Sequence, residues 1–123
     1  MATIMLSIKP QFSKLIFDGS KTFELRKHHP SRHVDKIIFY ETRPTSLVVG
    51  EADCSFHDPC VLFVDLHDFS ERACVSPDFI ISYYGNRLSY PYYSLSNPRL
   101  YSSPIPLSDF FIKNPPLSLI YLD

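Results

Sequence analysis

At 123 residues the chain is long enough for one hydrophobic core and too short for two. With 45% hydrophobic and 20% charged residues it has the composition of an ordinary globular domain, which excludes disordered, fibrous and membrane-spanning classes. A net charge of −1 excludes a uniformly basic nucleic-acid binder, and three cysteines with no C-x-x-C pair (Cys54, Cys60, Cys74) favour a reducing compartment.

The charge is unevenly spread. Residues 1–45 hold eight Lys/Arg and four Asp/Glu, giving +4, so the remaining four and nine of the totals give −5 over 46–123. A near-neutral chain with a basic front third can still offer a local anion-attracting surface.

The first element is "TIMLSI" at 3–8, whose alternation of Ile4, Leu6 and Ile8 predicts a strand. Lys9-Pro10 ends it. Proline suits a first helical position, so "PQFSKLIFD" reads as a short helix with Phe12, Leu15 and Ile16 facing the core, and Gly19 fits a left-handed C-cap. A strand follows at 22–27, then the loop "HHPSRHV", a strand at 35–41, and strands in "SLVVGEADC" and "PCVLFVDLH". "SPDFIISYYGN" predicts a second helix, with Ser76 as N-cap, Pro77 in its first turn and Gly85 as C-cap. The segments 92–95 and 117–122 are the last expected strands. Residues 1–123 are thus read as one α+β domain, a small mixed β-barrel with two or three short helices at its openings. The N-terminus lacks the apolar stretch of a signal peptide, and a cytoplasmic protein without membrane contact is expected.

Charged residues cluster in two places. Lys9 precedes Pro10 at a helix N-terminus, where unpaired N–H groups already create positive potential. A cation there costs the helix about 0.3–1 kcal/mol unless the spot receives an anion. The second cluster is Lys21-x-x-Glu24-x-Arg26, in which Glu24 and Arg26 share the face opposite Phe23 and Leu25. If that face lines a barrel mouth, Arg26 offers a planar fork for phosphate or a base edge, and Glu24 can orient the arginine or accept from an amino group. If it faces water, the pair is a surface ion pair of little value. Ser7 shares the strand face of Lys9, and Tyr40 offers an aromatic surface on the third strand. Cys54, His57, Cys60, His67 and Cys74 fit no common zinc spacing and are read as structural, so neither a metal site nor a cofactor is expected.

With these residues set out, "MLSIKPQFSKLIFDGSKTFELRK" resembles the opening of ASCH domains, a branch of the PUA-like superfamily, whose members carry G-x-K-x-x-E-x-R; here those positions are Gly19, Lys21, Glu24 and Arg26. The likeness continues through "VDKIIFYETRPTSLVVGEA", "SPDFIISYYGN" and "PIPLSDFFIKNPPLSLIYL", and it lapses over 54–75. The resemblance implies a PUA-like barrel with a cleft beside the first helix, and an RNA or nucleotide-like ligand. Ser7, Lys9, Lys21, Glu24, Arg26 and Tyr40 are the residues expected to bind it. The alternative it implies is a hydrolase acting on RNA or on an acylated cytidine nucleoside, with Lys21 and Glu24 as its catalytic groups. Hydrolytic relatives carry threonine where this chain has Glu24, so the chain keeps the motif lysine and lacks that nucleophile.

Overall fold

The computed structural model describes residues 1–122. The alternating "TIMLSI" segment lies in β1 (Ala2–Ile8), with Ile4, Leu6 and Ile8 buried in the main core. Pro10 opens α1 (Pro10–Phe17), as its fixed φ and missing N–H suit a first helical turn. Gly19 follows at φ +88, a left-handed conformation that costs a side-chain-free residue little, and the chain reverses into β2 (Phe23–Leu25).

β3 (Val34–Glu41) runs parallel to β1, so α1, β2 and the loop after it form the crossover that parallel pairing demands. β4 (Leu47–His57) returns antiparallel to β3, and β5 (Tyr92–Ile105) runs antiparallel to β4. β6 (Leu119–Tyr121) joins the free side of β1. The sheet order is β2-β5-β4-β3-β1-β6, and the six strands curl into a half-barrel. The α+β class and helix-flanked barrel expected from the sequence are what the structure has.

Gly50 seats α1 on the sheet. A Cβ there would lie 2.5 Å from the Arg99 carbonyl oxygen and 2.6 Å from the Phe17 ring, so only glycine lets the helix end come this close. A register shift between Val48 and Gly50 marks the same spot.

Residues 59–67 are not the strand that the run "VLFV" suggests. Val61–Phe63 form a single 3-10 turn, and α2 (Leu66–Ala73) begins right after Asp65, whose carboxylate accepts from the Asp68 N–H. The apolar run misleads because Leu62 and Phe63 point to solvent, whereas Phe69 and Ala73, four apart on α2, are buried. α3 (Pro77–Tyr84) has the expected boundaries, and the Ser76 hydroxyl accepts from the Phe79 N–H at 3.1 Å. Ile80 and Tyr84 of α3 pack with Phe69 and Ala73 of α2 over Leu25 and Tyr90, making a second core beside the main one.

β5 is far longer than the expected 92–95. Its prolines, Pro98 and Pro104, fall beyond the three residues that pair with β2, where one edge of the strand needs no partner. Asn97, at φ +50, introduces the irregularity seen in its pairing with β4.

Candidate functional site

A cleft with a volume of about 300 Å³ opens where β1 meets α1 and where β2 passes under α2 and α3. Two backbone hydrogen bonds build it. The Lys21 N–H donates to the Leu15 carbonyl of α1, and the Thr22 N–H donates to the Arg72 carbonyl of α2. β2 is thereby held under both helices, and Lys21 is drawn inward at its start. Glu24 and Arg26 then project together from the strand face opposite Phe23 and Leu25.

Lys21 is almost fully buried. Its Nζ donates to the Ala73 carbonyl at 2.5 Å, lies 3.8 Å from Glu24 Oε1, and stands 5.0 Å from the centre of the Phe12 ring. Burial lowers its pKa below the ordinary 10.5, and the nearby Glu24 carboxylate opposes that fall. Glu24, also buried, gives Oε2 to Arg26, with Nε at 2.9 Å and Nη2 at 2.8 Å. Arg26 Nη2 also reaches the Ser7 carbonyl at 2.7 Å. That bond ties β2 to β1, strands separated by three others in the sheet, and closes the half-barrel at its mouth with a side chain.

Two polar valences stay open in this group. Among the described residues Glu24 Oε1 has no hydrogen bond beyond its 3.8 Å ionic approach to Lys21, and Arg26 Nη1 has none. An acceptor and a donor therefore stay open in a cleft walled by Phe12, Val75, Phe79 and Tyr83. Phe79 and Tyr83 lie one turn apart on α3, with ring centroids 5.8 Å apart and planes 14° from parallel. Lys9 stands on the rim, exposed, as the N-cap residue of α1 with no side-chain capping bond and no acidic residue in the first turn.

Of the six residues singled out from sequence, the structure brings five together: Ser7, Lys9, Lys21, Glu24 and Arg26 all line the cleft. Ser7 contributes differently than expected. Its hydroxyl donates to the Pro116 carbonyl at 2.7 Å, and its own carbonyl is what anchors Arg26. Tyr40 is not at the cleft; its buried ring packs with Met5 and Val48 in a third cluster under Tyr101 and Leu107. Tyr40 is Cα-paired with Ser7 and faces away with that hydroxyl, so the β3 position carries it out of reach. The aromatic wall comes instead from Phe12, Phe79 and Tyr83. The i, i+4 spacing of Phe79 and Tyr83, offset from buried Ile80 and Tyr84, was the signal for it in "DFIISYY".

The sequence matches the family model described as "ASCH domain" over residues 6–71, more than half of the chain. Among solved structures, the chain is similar to a crystal structure of ASCH from Zymomonas mobilis at 25% identity, with a TM-score of 0.84, covering 99% of this chain and 88% of that one. A tyrosine-to-phenylalanine variant of the Zymomonas mobilis protein matches at 24% identity with a TM-score of 0.85, covering 100% and 91%. Among curated proteins none matches. RNA binding is ascribed to ASCH domains in general, and among the described residues no helix is long and apolar enough to cross a membrane.

Proposed function

The chain belongs to the ASCH domain family, and on that premise we propose that its cleft binds RNA or a nucleotide through one unstacked base. The observation that carries this reading is the pair of open valences, Glu24 Oε1 and Arg26 Nη1, held between aromatic walls. A base edge presents an amino donor beside a ring or carbonyl acceptor, the complement of that pair. Phe12, Phe79 and Tyr83 supply stacking surfaces, worth about 1–3 kcal/mol per base in single-strand binders. A volume of about 300 Å³ lies at the small end of ligand pockets, which suits one base with its sugar rather than a duplex. Lys9, exposed at the rim beside the N-terminus of α1, is placed to meet a backbone phosphate.

Titration of short single-stranded RNA and of mononucleotides at low and high salt tests the reading, with Lys21→Ala and Arg26→Ala beside the unmodified protein. Both substitutions are expected to weaken binding about tenfold or more. Affinity indifferent to both would remove the cleft from the account, and affinity indifferent to salt would remove the phosphate contact.

A second reading, hydrolysis of RNA or of an acylated cytidine nucleoside, draws on one observation: burial lowers the pKa of Lys21 beside Glu24. A lysine whose pKa falls far enough to leave it neutral can take a proton from water, and that water would be the nucleophile, since Glu24 replaces the threonine of hydrolytic relatives. Turnover of either substrate by purified protein that is lost in Lys21→Ala supports this reading; turnover that persists in the variant rules it out.

A further inference from the structure

A second cavity of about 200 Å³ adjoins the cleft, and Arg26 and Tyr83 belong to the walls of both. Its composition differs from that of the first. The ionisable residues around it are Arg26, Lys27 and His28 with the tyrosines, and among the described residues no carboxylate lines it. Ser118 adds a hydroxyl, while Leu6, Leu117 and Leu119 provide an apolar floor. Lys27 stands over the Tyr83 ring, 4.7 Å from its centroid, so its charge is held at the seam between the two cavities.

Tyr93 is also in this wall. The residue is fully buried, and its phenolic oxygen is a buried side-chain polar atom with no hydrogen-bond partner among the described residues. Leaving such a group unsatisfied costs stability, and native folds keep few of them without a reason. Tyr93 lies directly across from Glu24 in the β2–β5 pairing, so its side chain rises from the same sheet face as Glu24 and Arg26. Burial raises the pKa of its hydroxyl, which therefore stays protonated and able to donate.

We propose that this second cavity is a phosphate subsite, in which the Tyr93 hydroxyl and Lys27 receive the phosphate of the nucleotide whose base occupies the cleft. The assignment rests on the cleft reading above and adds the class of ligand: a nucleotide or nucleotide unit, not a free nucleoside. Cations and hydroxyl donors with no carboxylate among them suit an oxyanion, and a guanidinium shared by both cavities lets one ligand span them. The same phosphate chemistry can come from a free monophosphate ester or from a diester within RNA.

The test is calorimetric titration of the full chain with the four ribonucleosides, their 5′- and 3′-monophosphates, and a short mixed-sequence RNA. For at least one base, a monophosphate is expected to bind about tenfold more tightly than its nucleoside. Tyr93→Phe and Lys27→Ala should each shrink that ratio severalfold, whereas Phe12→Ala should weaken nucleoside and monophosphate together and leave the ratio intact. Equal affinity for nucleoside, monophosphate and RNA overturns the phosphate subsite and leaves the cleft reading standing. A ratio insensitive to both Tyr93→Phe and Lys27→Ala also overturns it, provided each variant keeps its folded circular dichroism spectrum. Absence of binding in every arm overturns both. A gain seen for the monophosphates marks a free nucleotide as the source of the phosphate; a gain confined to RNA marks the diester.

Discussion

Two charged clusters on the same sheet use nearly the same residues to opposite ends. At the mouth, Lys21, Glu24 and Arg26 meet on β2; on β3, β4 and β5, Lys36, Glu51, Asp53 and Arg99 meet in a cross-strand network. The second group is saturated. Arg99 Nη2 reaches Glu51 at 2.5 Å and Asp53 at 3.1 Å, the Tyr101 hydroxyl takes Glu51 Oε1 at 2.8 Å, and Asn97 takes the other Asp53 oxygen at 2.9 Å. It is also wet, with the Lys36 and Arg99 side chains about two-fifths exposed against 3% for Lys21. In the mouth cluster Lys21 and Glu24 are buried and Arg26 is about a quarter exposed, and an acceptor and a donor are left open. Charge pattern on a strand therefore does not mark a site; burial together with unfilled valence does.

The sharpest way to break that contrast is to remove one carboxylate from each cluster. Glu24→Ala leaves Lys21 buried without its counter-ion and should destabilise the fold by about 3 kcal/mol, while Glu51→Ala should cost about 1 kcal/mol or less. Urea denaturation of the two variants makes the comparison; equal losses would erase it. Next in size is the loss of geometry at constant charge. Arg26→Lys keeps the cation but forfeits the fork between Glu24, the Ser7 carbonyl and the ligand, so RNA affinity should fall about tenfold, with Arg99→Lys unchanged in the same titration.

A smaller effect of opposite sign is expected at Tyr93. Tyr93→Phe removes an unsatisfied buried hydroxyl and should raise the stability of the ligand-free protein by about 1 kcal/mol, read as a higher thermal midpoint. A destabilised variant would mean the hydroxyl is satisfied within the fold. The least effect lies in the pH dependence. The pKa of Lys21 is lower in the folded chain than its ordinary 10.5, so the unfolded chain binds more protons in between, and stability should rise as pH climbs through that window. The carboxyl of Glu51 is held below its ordinary 4.5, first by the Arg99 hydrogen bonds, so its contribution is present above 4.5 and is lost as pH falls through the lowered value. Lys21→Met should flatten the alkaline limb of a stability–pH curve and Glu51→Gln the acid limb; an exchange of those effects would contradict the assigned environments.

Much of this architecture was legible in the residues. Period-two patterns gave β1, β3 and β4, and Pro10 with Gly19 and Ser76 with Gly85 bracketed α1 and α3. The Gly19-Lys21-Glu24-Arg26 spacing brought the polar half of the cleft within reach. The rest depended on partners distant in sequence. "VLFV" reads as a buried strand only if something covers it, and nothing covers Leu62 or Phe63. β5 runs through two prolines because the edge they would disrupt is open there. Tyr40 reads as an aromatic wall because it is a tyrosine on a core strand, but its face points at Met5 and Val48; the rings that do line the cleft come from helices. The ambiguity at Lys21, Glu24 and Arg26, cleft wall or solvated edge, could be resolved only by α2 arriving over Lys21 with the Ala73 carbonyl.

The most direct test of the central claim is a titration of isotope-labelled protein with short single-stranded RNA, followed residue by residue through amide and side-chain resonances. Shifts centred on Lys9, Phe12, Lys21, Glu24, Arg26, Phe79 and Tyr83, extending to Lys27 and Tyr93 beside them, with Lys36, Glu51, Asp53 and Arg99 still, are the result the cleft predicts. Shifts centred on the Glu51–Arg99 face, with the mouth unmoved, would contradict it.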